Sequence, residues 1–330
     1  MSTAAASEPT PSPLRRIAQA GKRVDPAAYV VYLIFLGILL FFTITLSGEG
    51  FTSEQNLLNI LQQAAPIAVM AVGFTFTMSA GELDLSIGSV VALAALVGAQ
   101  IMQDAGVAAG ILAGLGIGLA VGVVNGFFVT VLRLPSFLVT LATMGLVAGV
   151  AQTVTDLHSV AVTDLGFAEV FGSGKLLGIS TLIWWMVGVT AVGYYALRHT
   201  RFGAHVLATG DNVDAARAAA IRTRRIKFAV LIISAMAAAL AGLLYAGRLQ
   251  GARYTLGSTD LLTVIAAVVL GGTSLFGGKG SIIGALVGSI ILSMLNNGLI
   301  LSGLSVSEQM IARGALLLLA ISATLRERRI

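Results

Sequence analysis

The chain predicts an all-α polytopic membrane protein of about ten transmembrane helices, and three observations carry that expectation. Of its 330 residues 57% are apolar and 11% charged, with a mean hydropathy of +0.94. Soluble domains sit near half apolar and a quarter charged. Second, apolar runs able to cross a bilayer core of about 30 Å, roughly 20 residues each, recur along most of the sequence. Third, Lys and Arg gather between those runs in the biased way that cytoplasmic loops require. Little of the length is left for a soluble domain that binds and hydrolyses a nucleotide.

Residues 1–28 are rich in Ser, Pro and Ala, carry Arg15, Arg16, Lys22 and Arg23, and read as a disordered cytoplasmic tail. A single transmembrane domain is expected at 29–326, followed by a short cytoplasmic tail at 327–330. The apolar run 30–47 exceeds the usual core of a cleaved signal, about 7–15 residues, and reads as an uncleaved first span. Further spans are expected at 58–80, 87–103, 107–132, 137–153, 180–197, 228–247, 260–275, 281–301 and 309–325. The one at 260–275 is short and ends in Gly271-Gly272.

With the N-terminus inside, ten spans place sixteen basic residues on the cytoplasmic face. These are the four of the tail, Arg133, Arg198, Arg201, Arg217, Arg222, Arg224, Arg225, Lys227, Lys279, Arg326, Arg328 and Arg329. Only Lys175, Arg248 and Arg253 fall outside, and Arg313 lies within the last span. Even parity returns the basic C-terminus to the cytoplasm.

The net charge of +5 and pI near 9.8 therefore reflect topology, not a nucleic-acid partner, since no basic face is interleaved with aromatics. Absence of cysteine excludes disulfides, thiolate metal sites and thiol nucleophiles. His158, His199 and His205 fall in loops, and no HExxH, GxSxG or paired intramembrane aspartate occurs. An enzymatic centre and a bound cofactor or metal are not expected.

Gly106, Gly110, Gly114, Gly118, Gly122 and Gly126 recur every four residues, and Gly280, Gly284 and Gly288 repeat the spacing. Such a stripe lets another helix approach closely. Packing within the chain is the favoured reading, a dimer seam the alternative. Asn125-Gly126 and Asn297-Gly298 close the two glycine-rich runs alike, a hint of internal duplication.

Three stretches interrupt the apolar pattern. GELDLSIGS (81–89) places Glu82 and Asp84 in an apolar region, where a mid-bilayer charge costs on the order of 2.5–3.5 kcal/mol. They are expected at a helix break, with Asp84 or Ser86 capping the following helix or both acids lining a translocation path. The second is the basic insertion between Arg198 and Lys227. Asp211 reads as an N-cap with Asp214 three residues on, Val213, Ala216 and Ala220 share a face, and Arg217, Arg222, Arg224 and Arg225 follow toward the C-terminus. A capped helix of small residues looks like a docking surface; a solvated loop is the alternative. The third, GGTSLFGGKGS (271–281), lacks GxxxxGK[ST] and a preceding strand, so it reads as a tight reversal and not a phosphate loop.

At these stretches the sequence resembles the sugar-type permease subunits of bacterial ABC importers, the group containing the ribose permease. GELDLSIGS, PSFLVTLATMG (135–145) and AAVVLGGTSLFGGKGSIIGALVGSIILSMLNNGL (266–299) follow that family's patterns in order. TRFGAHVLATGDNVDAARAAAI (200–221) resembles its cytoplasmic coupling segment, with Gly210, Asp211, Asn212, Ala215, Ala216 and Arg217 as coupling positions. Two departures stand out: a usual Gly-Arg reads Gly203-Ala204, and a usual Gly-Ile reads Ala220-Ile221. The resemblance covers about 30–328.

It implies a multi-pass permease of the bacterial plasma (inner) membrane with a type II ABC importer-like fold and cytoplasmic termini. It further implies a second permease subunit, identical or a close paralogue, cytoplasmic ABC ATPase subunits that use ATP and Mg, and an extracytoplasmic substrate-binding protein. The implied cargo is a small neutral solute, a monosaccharide or related polyol. The same machinery carrying a nucleoside, an autoinducer-type furanone or a branched-chain amino acid is the near alternative. An ion-coupled transporter or passive channel is the distant one.

Polar groups at apolar depth are expected to line the pathway: Glu82, Asp84, Asn125, Thr140, Thr143, Asn296 and Asn297, with Phe137 as a gate or stacking surface. Helix–helix hydrogen bonding is the competing role for each. Closure of the ATPases is expected to push on a helix at 209–222, and the outer loop 154–179 is long enough to meet a binding protein.

Overall fold

A computed structural model describes residues 27–305, 307–312 and 314–315, with side chains from Val31 onward. The expected tail up to residue 26, Arg313, the rest of the last span and the 327–330 tail lie outside the described residues. The helices are α1 (Ala27–Thr45), α2 (Glu54–Ser79), α3 (Ile87–Ala105), α4 (Val107–Thr130), α5 (Ser136–Val154) and α6 (Leu165–Phe171). They continue as α7 (Thr181–His199), α8 (Arg201–Asp211), α9 (Val213–Ala218), α10 (Thr223–Leu249), α11 (Asp260–Leu270) and α12 (Ile282–Leu301).

Among the described residues α2, α3, α4, α5, α10 and α12 are long and apolar enough to cross a membrane. Helices α1, α7 and α11 occupy the remaining spans expected before residue 302. α10 begins at Thr223, five residues earlier than the apolar run suggested, because Thr223 and Ile226 are buried while Arg224 and Arg225 stay exposed. At 1.5 Å per residue its 27 residues extend about 40 Å, more than a bilayer core.

The expected span 260–275 needs correction. α11 has 11 residues, about 16 Å of helix, and stops at Leu270. Gly271 packs against the backbone of Gly284 and Gly272 turns to φ 87°, so the chain continues through 273–281 without helix. Non-helical backbone of this kind is tolerated where protein surrounds it.

α2 and α10 form the centre. α10 packs on α2, α3 and α4; α2 also meets α7, α11 and α12; α5 lies on α3, and α1 on α12. The glycine stripe of α4 faces inward. A Cβ on Gly118 would stand 2.6 Å from that of Ala239, and one on Gly126 would stand 2.6 Å from the Phe228 ring. Gly110 and Gly114 meet α3 the same way, so these glycines pack within the chain. Gly106 does not join them: it ends α3 at φ 88° with open space around it. Gly284 and Gly288 seat α12 on Gly271 and Ala267.

Contacts sort the connections into two ends. At one end the α2–α3 connection, α8, α9, the start of α10 and the 273–281 segment touch one another. At the other, the segment after α5 folds as a cap over the end of α10. Strands β1 (Val160–Ala161) and β4 (Gly251–Ala252) pair antiparallel, as do β2 (Lys175–Leu176) and β3 (Ile179–Ser180). Phe171 stacks between Phe167 and Trp185, fixing α6 against α7.

A paired substitution tests the glycine seam. Gly118→Ala should destabilise the purified protein by about 1–3 kcal/mol through overpacking. Gly116→Ala, whose Cβ meets nothing within 4 Å, should leave thermal unfolding unchanged or raise it. Equal behaviour of the two variants would contradict the inward-facing stripe.

Candidate functional site

The α2–α3 break is the polar focus of the chain. α2 runs out at Ala80, Gly81 takes φ 76°, and six residues pass before α3 begins at Ile87. Free backbone groups there need partners away from water. α5 provides them: Ser136 Oγ accepts from Leu83 N at 3.1 Å, and Thr140 Oγ1 accepts from Leu85 N at 3.1 Å. Thr140 Oγ1 in turn lies 3.2 Å from Leu83 O and 2.8 Å from Ser136 O.

Both acids of the motif are buried and do different things. Asp84 Oδ1 accepts from Ser86 N at 3.1 Å and from Ser86 Oγ at 2.5 Å, closing the turn into α3. Asn125 Nδ2 on α4 donates to Ser86 Oγ at 3.0 Å. Among the described residues Asn125 Oδ1 has no hydrogen-bond partner, and Ser234 of α10 lies beside the Asp84 carboxylate. Glu82 instead forms an ion pair with Lys227 at the start of α10. One short segment is thereby tied to α4, α5 and α10.

The expected pathway residues separate into three groups. Glu82, Asp84, Asn125 and Thr140 converge on this break. Thr143 bonds Val139 O within its own helix, and Phe137 is 48% exposed on the outside of α5. Asn296 and Asn297 sit elsewhere, toward the opposite end of α12. Asn297 and Asn56 exchange reciprocal amide bonds of 2.9 Å, clasping α12 to the start of α2.

Lys227 and Ser136 escaped the sequence reading. Lys227 is the last basic residue of the insertion, and its distance in sequence from Glu82 hid the pair. Ser136 and Thr140 stand four apart on one helical face, a spacing that marks a paired hydroxyl contact only once the break is known to lie opposite.

The insertion folds as two helices, not one at 209–222. Asp211 is the last residue of α8, and Asn212 is the N-cap of α9, accepting from Asp214 N and Ala215 N at 3.0 Å each. Asn is as good a cap as Asp, and the chain direction at residue 212 decides between them. α9 ends at Ala218, so Ala220 lies beyond it. The expected shared face reduces to buried Ala216 and half-buried Val213.

Of the four arginines only Arg217 lies in α9, pairing with Asp214 at 3.1 Å. Arg222 caps α10 and Arg224 and Arg225 enter its first turn, where the helix dipole opposes their charge. The expected match between charge and dipole therefore holds for Arg217 alone. Ile221 N bonds Ala216 O and Ala220 N bonds Arg217 O, a Schellman closure with Ala220 at φ 60°. That left-handed position favours glycine, which explains physically why the resembling family often has Gly-Ile here. Ala204, where Arg is usual, is exposed on α8.

α8 meets the α2–α3 break backbone to backbone. A Cβ on Gly210 would strike Ser79 O and come within 2.7 Å of Gly278 N. Gly278 N also donates to Ser79 O at 3.1 Å. Gly277 and Gly278 reach φ 86° and 77°, which sends the 274–279 turn flush against Gly210 and Asp211. The turn is thus the tight reversal expected from its glycines, and it also seats α8. Meanwhile Asp211, Asn212, Asp214, Ala215 and Arg217 remain exposed.

Comparison with known proteins follows the same lines. The family described as branched-chain amino acid transport system / permease component matches residues 56–321. The chain is 41% identical over 300 residues to the ribose import permease protein RbsC of Escherichia coli, spanning 88% of this chain and 91% of that one. It is 35% identical over 291 residues to the L-arabinose ABC transporter permease protein AraH of Azospirillum brasilense, spanning 88% and 85%. It is 30% identical over 381 aligned positions to the xylose transport system permease protein XylH of Escherichia coli, spanning 92% and 94%. No solved structure gives a significant match.

Two expectations follow from the geometry. Lys227→Met leaves the Glu82 carboxylate buried without its cation and should lower stability by about 2 kcal/mol or more, less than a fully buried pair because Lys227 is partly solvated. Adding Glu82→Gln should restore much of the loss; a double variant no better than the single one would contradict the pairing. Ala220→Gly should raise stability by about 0.5–1 kcal/mol by relieving the left-handed alanine. A fall in the thermal midpoint would contradict that assignment.

Proposed function

The chain belongs to the family described as branched-chain amino acid transport system / permease component, and on that premise we propose that it forms the membrane pathway of an ATP-driven monosaccharide importer. The family description names amino acids, but the relatives that align along most of both chains are named for ribose, arabinose and xylose. Agreement of these sugar permeases favours a monosaccharide over the nucleoside, furanone or amino-acid alternatives. An integral, multi-pass protein of the bacterial inner membrane accords with both the apolar helices and those relatives.

The observation that carries the mechanism is the exposed α8–α9 corner resting on the α2–α3 break. The protein acts as a permease subunit and not as an enzyme; ATP and Mg belong to partner ATPases. Those partners grip the α8–α9 corner at Asp211, Asn212, Ala215 and Arg217, with Gly210 and Ala216 as its packed side. A displacement of α8 reaches the break through Gly210 and Ser79, and reaches α10 through the Schellman turn and Lys227. Both routes arrive at one polar segment, so the central helices respond together as rigid bodies.

Orientation follows from charge. The α8–α9 end carries Arg133, Arg198, Arg201, Arg217, Arg222, Arg224, Arg225, Lys227 and Lys279 and faces the cytoplasm. The opposite end carries Lys175, Arg248 and Arg253, faces outward, and presents the capped 155–180 segment to a substrate-binding protein. Ten crossings with both termini inside satisfy this arrangement, α11 and the 271–281 segment together making one of them. A second permease subunit, identical or paralogous, completes the pathway.

Inverting the exposed charges while keeping their internal pair isolates the docking role. Arg217→Glu with Asp214→Lys preserves the ion pair of α9 yet reverses what a partner meets. Substrate-stimulated ATP hydrolysis of the assembled transporter should fall by about tenfold or more. Full stimulation by the swapped variant would refute coupling through this corner.

A further inference from the structure

Residues 175–180 form a hairpin immediately ahead of α7, with β2 and β3 joined by Leu177 and Gly178. Both turn residues have left-handed backbone, at φ 54° and 80°, as a two-residue type I′ turn requires. Such turns favour Asn-Gly or Asp-Gly, whose polar side chains suit both water and the positive φ. Here the first position is leucine, and it is 84% exposed. Leu176 and Ile179 on either side are exposed as well. A tip of three apolar side chains, with a left-handed leucine at its centre, is costly in water.

The position of that tip is fixed. Trp184 Nε1, in the first turn of α7, donates to Leu176 O at 3.1 Å and holds the hairpin against the flank of the helix. The flank is apolar: Trp184, Val187, Ala191, Val192 and Tyr195 fall on one helical face and are all exposed. The opposite face, through Leu182, Met186 and Gly193, is buried in the bundle. α7 has 19 residues and closes on Arg198 and His199, so its apolar part is about 25 Å long. A bilayer core of about 30 Å exceeds that length. Leu176, Leu177 and Ile179 stand at the end away from Arg198, beside a tryptophan of the kind that marks a membrane interface.

We propose that the 175–180 hairpin inserts into the outer leaflet of the bilayer, its partner being the lipid surface itself. The choice of leaflet rests on the proposed orientation, which places Lys175 outside. Lipid chains surround Leu177 where water otherwise would, and the hairpin adds to the lipid-facing surface of α7 where the helix itself falls short. Lys175 at the base of the hairpin keeps its amine among the headgroups while its stem follows the apolar surface. A soluble partner meets different chemistry in the same cap, at the exposed polar residues Thr163, Asp164 and Glu169. The cap thereby divides into a lipid-anchored hairpin and a polar face open to the binding protein.

The test places a nitroxide on Leu177→Cys in the full-length protein, which has no cysteine of its own, reconstituted in phosphatidylcholine vesicles. Val192→Cys on the α7 flank and Thr163→Cys on the cap serve as references for lipid and water. The Leu177 label should be relaxed strongly by oxygen and weakly by a water-soluble nickel chelate, at a depth of about 5–10 Å into the headgroup and acyl boundary. Ile179→Cys supplies the same reading if Leu177→Cys does not fold. Nickel access equal to that at Thr163 would overturn the proposal. Low access to both reagents would overturn it too, since a second copy of the chain and not lipid would then cover the tip. Adding the binding protein should leave the Leu177 label unchanged; protection by that protein of a label otherwise open to nickel would assign the hairpin to it and overturn the lipid contact. Reaction of Thr163→Cys with an impermeant maleimide only from the cytoplasmic side would overturn the orientation, and the leaflet with it, independently of the depth read at Leu177.

Discussion

A polypeptide within a bilayer has no water to satisfy its amides, so a helix that breaks there needs partners brought by other helices. Residues 80–86 form a largely buried break between two apolar helices, and the packing around them supplies those partners. Ser136 and Thr140 of α5 hold the backbone of Leu83 and Leu85; Asn125 of α4 holds Ser86; Lys227 of α10 neutralises Glu82. Three helices are thereby fixed to one segment by directional bonds, where apolar packing alone allows sliding. Small residues do the rest, since glycine on α4 lets α10 approach closely enough for this geometry to close.

On the proposed reading, the same segment is what a partner ATPase would move. α8 touches it through Gly210 and Ser79 without side chains between them, and backbone contacts of that kind transmit displacement with little slack. The 273–281 segment lies against both, bringing α11 and α12 into the same junction. α11 is short, and its Leu270 end is held by the junction. On that reading, a displacement of the α8–α9 corner reaches α2, α11 and α12 through close backbone contacts.

Much of this was legible in the sequence, and the reasons are specific. Long apolar runs gave helices at 87–105, 107–130 and 282–301 within a few residues, since nothing but length and hydropathy decides them. Charge at apolar depth marked Glu82 and Asp84 as members of a break. What stayed hidden depended on distance along the chain. Lys227 stands far from Glu82, and Asn56 far from Asn297. The N-cap of α9 was misplaced by one residue because Asp211 and Asn212 have similar capping chemistry, and backbone direction alone separates them. The half-length of α11 was masked because Gly271 and Gly272 follow an apolar stretch that could have continued.

The central claim is that the α8–α9 corner is a cytoplasmic handle gripped by separate ATPases. The chain contains no cysteine, so a single Ala215→Cys gives a clean probe on the exposed side of α9. Labelling by a membrane-impermeant maleimide should occur only from the cytoplasmic face, and assembly with the ATPase subunits should suppress it. Labelling from the outer face, or undiminished labelling in the full complex, would contradict the account.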